Sequence, residues 1–99
     1  MDTRQKLEVL QETCADEVEL GQVVGKLLAL TLGRHRQRLT RYEQDLRAFE
    51  TQYAMDSETF YRRFEAGELG DSMDFFEWAG LRELHQDLLQ KIRRIEAVL

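Results

Sequence analysis

Five carboxylates in the second half of the chain are the first candidates for chemistry. They are Glu65, Glu68, Asp71, Asp74 and Glu77. Carboxylate oxygens suit Ca²⁺ or Mg²⁺, so this group raises the hypothesis of a metal-dependent enzyme. Their spacing differs from that of an EF-hand loop. Gly67 and Gly70 are typical of helix ends, and Asp71 and Asp74 of a helix start. We therefore favour a structural role and predict no metal and no cofactor.

The two histidines are the next candidates for metal binding. His35 and His85 both fall on an apolar helical stripe. In a hairpin built on that stripe, His35 lies opposite about Arg93 and His85 opposite about Glu43. The histidines therefore do not meet within one chain. A polar residue at such a core position more often fixes the register of helix pairing.

Catalytic chemistry has little support in this sequence. Cys14 is the only cysteine and lies far from both histidines along the chain, so we interpret it as a passive thiol. The chain contains no Gly-rich phosphate loop, no CxxC or HExxH motif and no Ser/His/Asp grouping. We predict no catalytic residue and a protein that is not an enzyme.

Four arginines in the first half of the chain could contact a polyanion or an acidic partner. Arg34, Arg38 and Arg41 share one helical face, and Arg36 lies beside them. Such a stripe suits phosphates along a groove. However, the neighbouring Tyr42 belongs to the apolar stripe, so no exposed aromatic accompanies the arginines. The net charge of −5 also disfavours nucleic acid. Pairing with acidic segments of the same or a neighbouring copy is the favoured interpretation.

A long helix must position these groups. Its apolar stripe consists of Leu28, Leu32, His35, Leu39, Tyr42, Leu46, Phe49 and Tyr53. The repeat of about 3.5 residues and the lack of proline predict one helix over residues 16–54. Asp16 is a suitable N-cap, and Glu19 completes a capping-box pattern. For residues 1–15 we favour a short helix, although a strand over 6–11 fits the pattern too.

The last part of the chain repeats the heptad pattern. Its stripe consists of Trp78, Leu81, His85, Leu88, Ile92, Ile95 and Leu99. We predict a final helix over 72–99 and a short connecting helix over 57–67, capped by Asp56 or Ser57. Two matching stripes joined by a short connection predict an all-α, coiled-coil-like antiparallel hairpin. We expect an aromatic plug at its closed end, formed by Tyr53, Phe60, Phe64, Phe75, Phe76 and Trp78.

The start of the long helix has no partner within this hairpin. At 1.5 Å per residue the long helix measures about 58 Å and the last helix about 42 Å, so the last helix ends near Leu28. Residues 18–32, here called the overhang, leave almost no polar face. The predicted interface residues are Val18, Leu20, Val23, Val24, Leu27, Leu28 and Leu30. A homodimer with a four-helix arrangement would cover them.

Size and composition set the expected context. The 99 residues make one domain, and the single cysteine favours a cytoplasmic protein. No apolar run is long enough for a membrane span, and we expect no leader peptide. The charges alternate along the chain: residues 1–20 are acidic, 31–47 are basic and 50–77 are acidic.

One segment carries a motif-like pattern. Residues 53–81 read YAMDSETFYRRFEAGELGDSMDFFEWAGL, and the pattern GELGD is followed by D-x-x-E-W. This segment resembles small helical prokaryotic proteins that look like the smaller members of toxin–antitoxin-type gene pairs. The matching positions are Tyr53, Met55, Phe60, Arg63, Phe64, Gly67 to Asp71, Asp74, Glu77 and Trp78. Asp56 and Ser57 depart from the family pattern. The resemblance implies an antitoxin-like role and a second protein encoded nearby.

These observations predict a non-enzymatic protein–protein interaction module. The overhang would form a homo-oligomer, and the resemblance adds the antitoxin-like role. The alternative is a small nucleic-acid-binding regulator that uses the stripe Arg34–Arg41.

Overall fold

Four helices and no strand make up the fold in the computed structural model, which describes all residues from Met1 to Leu99. Their bounds are α1 Thr3–Thr13, α2 Glu17–Tyr53, α3 Ser57–Glu65 and α4 Met73–Glu96. The predicted all-α hairpin is confirmed, since α2 packs along α4 and α3 lies in the connection between them. The N-terminal segment is a helix rather than a strand. α1 contains no buried residue.

Contacts between side chains show that α2 and α4 are antiparallel. The three pairs, from the closed end to the open end, are Tyr53 with Asp74, Glu43 with His85, and Arg36 with Glu96. The predicted position of His85 opposite Glu43 is confirmed, with 3.8 Å between His85 Nε2 and Glu43 Oε2. The register of the hairpin therefore follows from the length of its connection.

Capping side chains define where α2 begins. The carboxylate of Asp16 accepts a hydrogen bond from the Glu19 backbone N–H at 2.8 Å, as predicted. The Glu19 carboxylate accepts in turn from the Ala15 N–H at 2.7 Å, one residue earlier than a capping box requires. The start of α2 is thus held by two local hydrogen bonds.

In the turn from α2 into α3, the neighbouring residues Asp56 and Ser57 have different roles. α2 ends at Ala54, whose φ of 52° is left-handed. Asp56 is the N-cap of α3, and its carboxylate accepts from the Thr59 backbone N–H at 2.7 Å. This hydrogen bond, assisted by the Thr59 hydroxyl, lowers the pKa of Asp56. Ser57 is therefore not the cap but the first residue of α3, and it is buried.

The GELGD loop ends α3 and begins α4. Gly67 adopts a left-handed φ of 73°, which fits the predicted position just after a helix end. The backbone N–H of Glu68 donates to the Arg63 carbonyl at 3.0 Å. The Ser72 hydroxyl caps α4 by accepting from the Asp74 N–H. Gly67 and Ser72 thus have local structural functions at the two ends of this loop.

The core is small and divided into two clusters. The closed-end cluster contains Leu46, Phe60, Trp78 and Ala79, and the second cluster, nearer the open end, contains Leu32, Leu88 and Ile92. Only 8 of 99 residues are buried, and the chain exposes 7503 Å². A compact monomer of this mass would expose about 5,900 Å². The radius of gyration, 19.4 Å, also exceeds the value of about 13 Å typical of a compact domain of this length. The elongated hairpin therefore leaves an unusually large surface in water.

Candidate interaction surfaces

The closed end is held together by an aromatic stack. The rings of Phe60 and Trp78 lie parallel, with centroids 3.8 Å apart, and neither side chain is exposed. Phe49 and Tyr53 stack on other parts of the Trp78 ring at 5.5 and 5.8 Å. The Trp78 Nε1–H donates to the buried Ser57 hydroxyl at 2.9 Å. The arrangement agrees with the predicted aromatic plug except at Phe76, and Phe49 must be added to it.

Several residues of the motif in segment 53–81 build this closed end. Phe60 and Trp78 form its centre, and Gly67 ends α3. Asp74 accepts a hydrogen bond from the Tyr53 hydroxyl, which raises the pKa of Tyr53. Glu68 forms an ion pair with Arg63 at 3.3 Å. These positions of the motif are therefore accounted for by folding, because each of them has a structural role in the closed end.

The carboxylates that could bind a cation are spread over the loop and two helices. No group of three or more His, Cys, Asp or Glu side chains lies close enough together to hold a metal ion. The histidines are also apart: His85 lies beside Glu43, whereas His35 lines a shallow pocket with Leu28 and Lys91 near the open end. The geometry thus brings no set of ligands together.

A polar cleft on one side of the hairpin is lined by charged side chains, of which Arg82 and Glu58 are paired with each other. Arg82 donates two hydrogen bonds to the Glu58 carboxylate, at 3.2 and 3.1 Å, and its guanidinium lies 4.3 Å from the centre of the Tyr61 ring. The Tyr61 hydroxyl donates to Glu83 at 2.7 Å, and this bond, with a smaller contribution from Glu65, raises the pKa of Tyr61 to about 12. These groups are already satisfied within the chain and hold α3 against α4.

The overhang exposes the apolar side chains that the sequence assigns to an interface. The exposed fractions are 69% for Val18, 38% for Val24, 52% for Leu27 and 55% for Leu30. The other three predicted interface residues, Leu20, Val23 and Leu28, are half-buried. Leu28 lines the same pocket as Ala97 and Val98, so α4 ends at the level predicted from helix lengths.

The arginine stripe lies next to the overhang on α2. Arg34, Arg36, Arg38 and Arg41 are all exposed. Arg36 pairs with Glu96 at 2.8 Å, while the other three form no ion pair within the chain. The favoured pairing with acids of the same copy is therefore seen at Arg36 alone. Three cations remain available to another molecule.

No protein-family model, curated protein or solved structure matches this chain. None of the four helices combines the length and the apolarity that crossing a bilayer requires.

One apolar groove beside the closed end was missed by the sequence analysis. It is lined by Ala48, Phe49, Phe76, Gly80, Leu81 and Leu84, with Asp45 and Glu77 at its rim. Phe76 and Leu84 are each 53% exposed, and Met73 is 71% exposed. Phe76, which is predicted to lie in the aromatic plug, instead contacts one aromatic ring, that of Phe64, at 5.5 Å. The sequence does contain a pattern that indicates this groove, because residues 73, 76, 80 and 84 form a second stripe along α4.

Proposed function

We propose that this protein is a non-enzymatic protein–protein interaction module that self-associates through the overhang. The observation that carries the proposal is the exposure of Val24, Leu27 and Leu30 on a helix that extends past the end of α4. Fully burying an apolar side chain of this size contributes about 1.5–3 kcal/mol, so half-exposed residues retain a substantial part of that gain for an interface.

The total surface supports the same proposal. The chain exposes roughly 1,600 Å² more than a compact monomer of its mass. A standard protein interface removes about 800 Å² from each partner. Although part of the excess follows from the elongated shape, a homodimer could cover a standard interface without any change in the fold.

The antitoxin-like role is the specific form of this proposal that the family resemblance implies. In that role the protein would bind a second protein encoded nearby. The exposed groove around Phe76 and Leu84 is formed in part by the resembling segment and offers a surface separate from the overhang. Co-purification with the products of flanking genes, after nuclease treatment and at 0.5 M NaCl, tests it. A stoichiometric second protein would support this role, and recovery of the protein alone would count against it.

Nucleic-acid regulation is the second candidate function. It is favoured by one observation, the lack of ion pairs at Arg34, Arg38 and Arg41. Salt separates the two candidates. Binding to duplex DNA through three phosphate contacts would weaken with a slope of about −2.7 in log K against log salt, whereas an apolar interface should survive 0.5 M NaCl.

The substitution Leu27→Asp tests self-association. It places an unpaired charge at the centre of the proposed interface, so we expect the dimer to dissociate to monomers while the helix content stays unchanged. The measurement is sedimentation equilibrium at 0.5 M NaCl, with far-UV circular dichroism. Gln22→Asp is the matched control, since it adds the same charge to an exposed position on the opposite side of α2. A monomeric wild type, or a Leu27→Asp protein that still dimerises, would contradict the proposal.

A further inference from the structure

One face of α2 carries acidic, apolar and basic side chains in that order. Its members, spaced by three or four residues, are Asp16, Leu20, Val23, Leu27, Leu30, Arg34, Arg38 and Arg41. At 100° per residue they fall within an arc of about 80°. This set is here called the α2 side face. It differs from the stripe of Leu32, Leu39 and Leu46, which packs toward α4.

Most of the α2 side face is exposed in the single chain, although Leu20 and Val23 are half-buried. Leu27, Leu30 and the three arginines are exposed, and Asp16 is exposed apart from its capping hydrogen bond. Glu19 extends the acidic end of this face. Lys91 and Arg94 of α4 line the pocket near His35 and add positive charge beside the basic end.

This order of charges is self-complementary in only one orientation. If two copies of α2 cross in opposite directions at Leu27, residues equally far from Leu27 meet. Asp16 then meets Arg38, and Leu20 meets Arg34, whose aliphatic stem can cover it while the guanidinium reaches Glu19. In a parallel pair, acids would lie against acids and arginines against arginines, which is repulsive.

We propose that α2 pairs with α2 of a second copy in antiparallel orientation, with the two-fold axis near Leu27. The acidic start of each α2 side face then lies on the basic end of the other. The contact extends about 33 Å, from Asp16 to Arg38. The inference rests on the proposed self-association and adds its orientation and register. A second copy is the occupant because both the apolar centre and the two charged ends match it, as an isologous interface requires.

Cross-linking tests the orientation directly. Val23 and Thr31 lie equally far from Leu27, so an antiparallel pair brings Val23 of one copy near Thr31 of the other. Two proteins are made in a Cys14→Ser background, Val23→Cys and Thr31→Cys, with tags of different size, and are mixed and treated with a short bismaleimide. We expect the mixed product to dominate. Dominance of the two like-with-like products would overturn the orientation.

Charge reversal provides a second readout. Arg34→Glu with Arg38→Glu places acids against acids at both ends of an antiparallel dimer, so we expect its Kd to rise at least about tenfold at low salt and less at 0.5 M NaCl. Arg47→Glu with Arg62→Glu changes the net charge equally outside the face and should leave the Kd within about twofold. In a parallel dimer each substituted residue would face its own equivalent, so one repulsive like-charge contact would replace another and the Kd would stay nearly unchanged. An unchanged Kd would therefore contradict the antiparallel orientation.

The two proposals can fail separately. If Leu27→Asp dissociates the dimer but charge reversal has no effect and like-with-like cross-links dominate, self-association stands and the antiparallel register is wrong. If Leu27→Asp leaves the dimer intact, the self-association surface itself is wrong.

Discussion

The two ends of the hairpin use the same helix in opposite ways. At the closed end, α2 meets α3 and α4, Phe60 and Trp78 are fully buried, and no buried side-chain nitrogen or oxygen atom lacks a hydrogen-bond partner. At the open end, α2 continues without a neighbour, and Leu27 and Leu30 are about half exposed. The part of α2 at the closed end and the part at the open end both carry apolar side chains. The difference shows that an apolar helix becomes a core or an interface according to which segments of the chain reach it.

The largest expected effect comes from removing an aromatic ring at the closed end. Phe60→Ala leaves a cavity in the stack with Trp78 and should reduce the free energy of unfolding by about 3–5 kcal/mol. Leu30→Ala, at the open end, should change it by no more than about 0.5 kcal/mol. Both are measured by urea denaturation in the monomeric Leu27→Asp background.

A milder variant keeps this comparison informative if Phe60→Ala does not fold. Phe60→Leu retains part of the ring's volume and should fall between the two alanine variants. Equal effects of Phe60→Leu and Leu30→Ala would mean that the closed end is not the main source of stability.

Removing a single buried hydroxyl should have a smaller effect on the free energy of unfolding. Ser57→Ala leaves the Trp78 Nε1–H buried without an acceptor, which should cost about 1–3 kcal/mol. Thr51→Ala removes a hydroxyl from an exposed position near the end of α2 and should change stability by less than about 0.5 kcal/mol. Thermal unfolding monitored by tryptophan fluorescence compares them. Identical melting curves for the two variants would show that the Ser57–Trp78 bond does not stabilise the closed end.

The smallest expected effect is a pH dependence at high pH. In the folded chain the Glu83 carboxylate raises the pKa of Tyr61 from 10.0 to about 12. Because the folded pKa exceeds the unfolded one, the bond stabilises the fold fully below pH 10, and its contribution is lost as the pH rises from 10 to about 12. We expect the melting temperature of the wild type to fall more steeply over this range than that of Tyr61→Phe.

Ultraviolet titration of the tyrosinate band gives the direct measurement for this group. Glu83→Gln removes the accepting carboxylate and should lower the pKa of Tyr61 toward its ordinary value. An unchanged titration curve in Glu83→Gln would assign the raised pKa to another cause.

Heptad spacing was enough to predict the hairpin, and the position of its connection placed His85 opposite Glu43. The two stripes fixed which faces of α2 and α4 meet, and helix lengths placed the end of α4 near Leu28. Ser57 could not be assigned in the same way, because its role depends on Trp78, which approaches from another helix. Phe75 and Phe76 are adjacent and equally apolar, so only the position of α4 against both α2 and α3 decides that Phe75 packs between Tyr53 and Phe60 while Phe76 remains half exposed.

The candidate interface was predicted less completely than the fold. Apolar composition identified the overhang, and charge spacing identified the arginine stripe. That Arg36 has a partner in Glu96 while Arg34 and Arg38 have none depends on which side of α2 the end of α4 reaches. The α2 side face can be recognised as a single surface only when the position of α4 shows which side of α2 is left uncovered.

The sequence distances between paired residues give the hairpin a direction of assembly. Tyr53 and Asp74 are 21 residues apart, as are Ser57 and Trp78, whereas Arg36 and Glu96 are 60 apart. Closing the longer loop directly costs about 1 kcal/mol more in chain entropy, and local contacts form faster. We expect the connection to close first and the two long helices to zip from there toward the open end. The overhang would then reach its final surroundings last, when a second molecule meets a hairpin whose closed end has already formed.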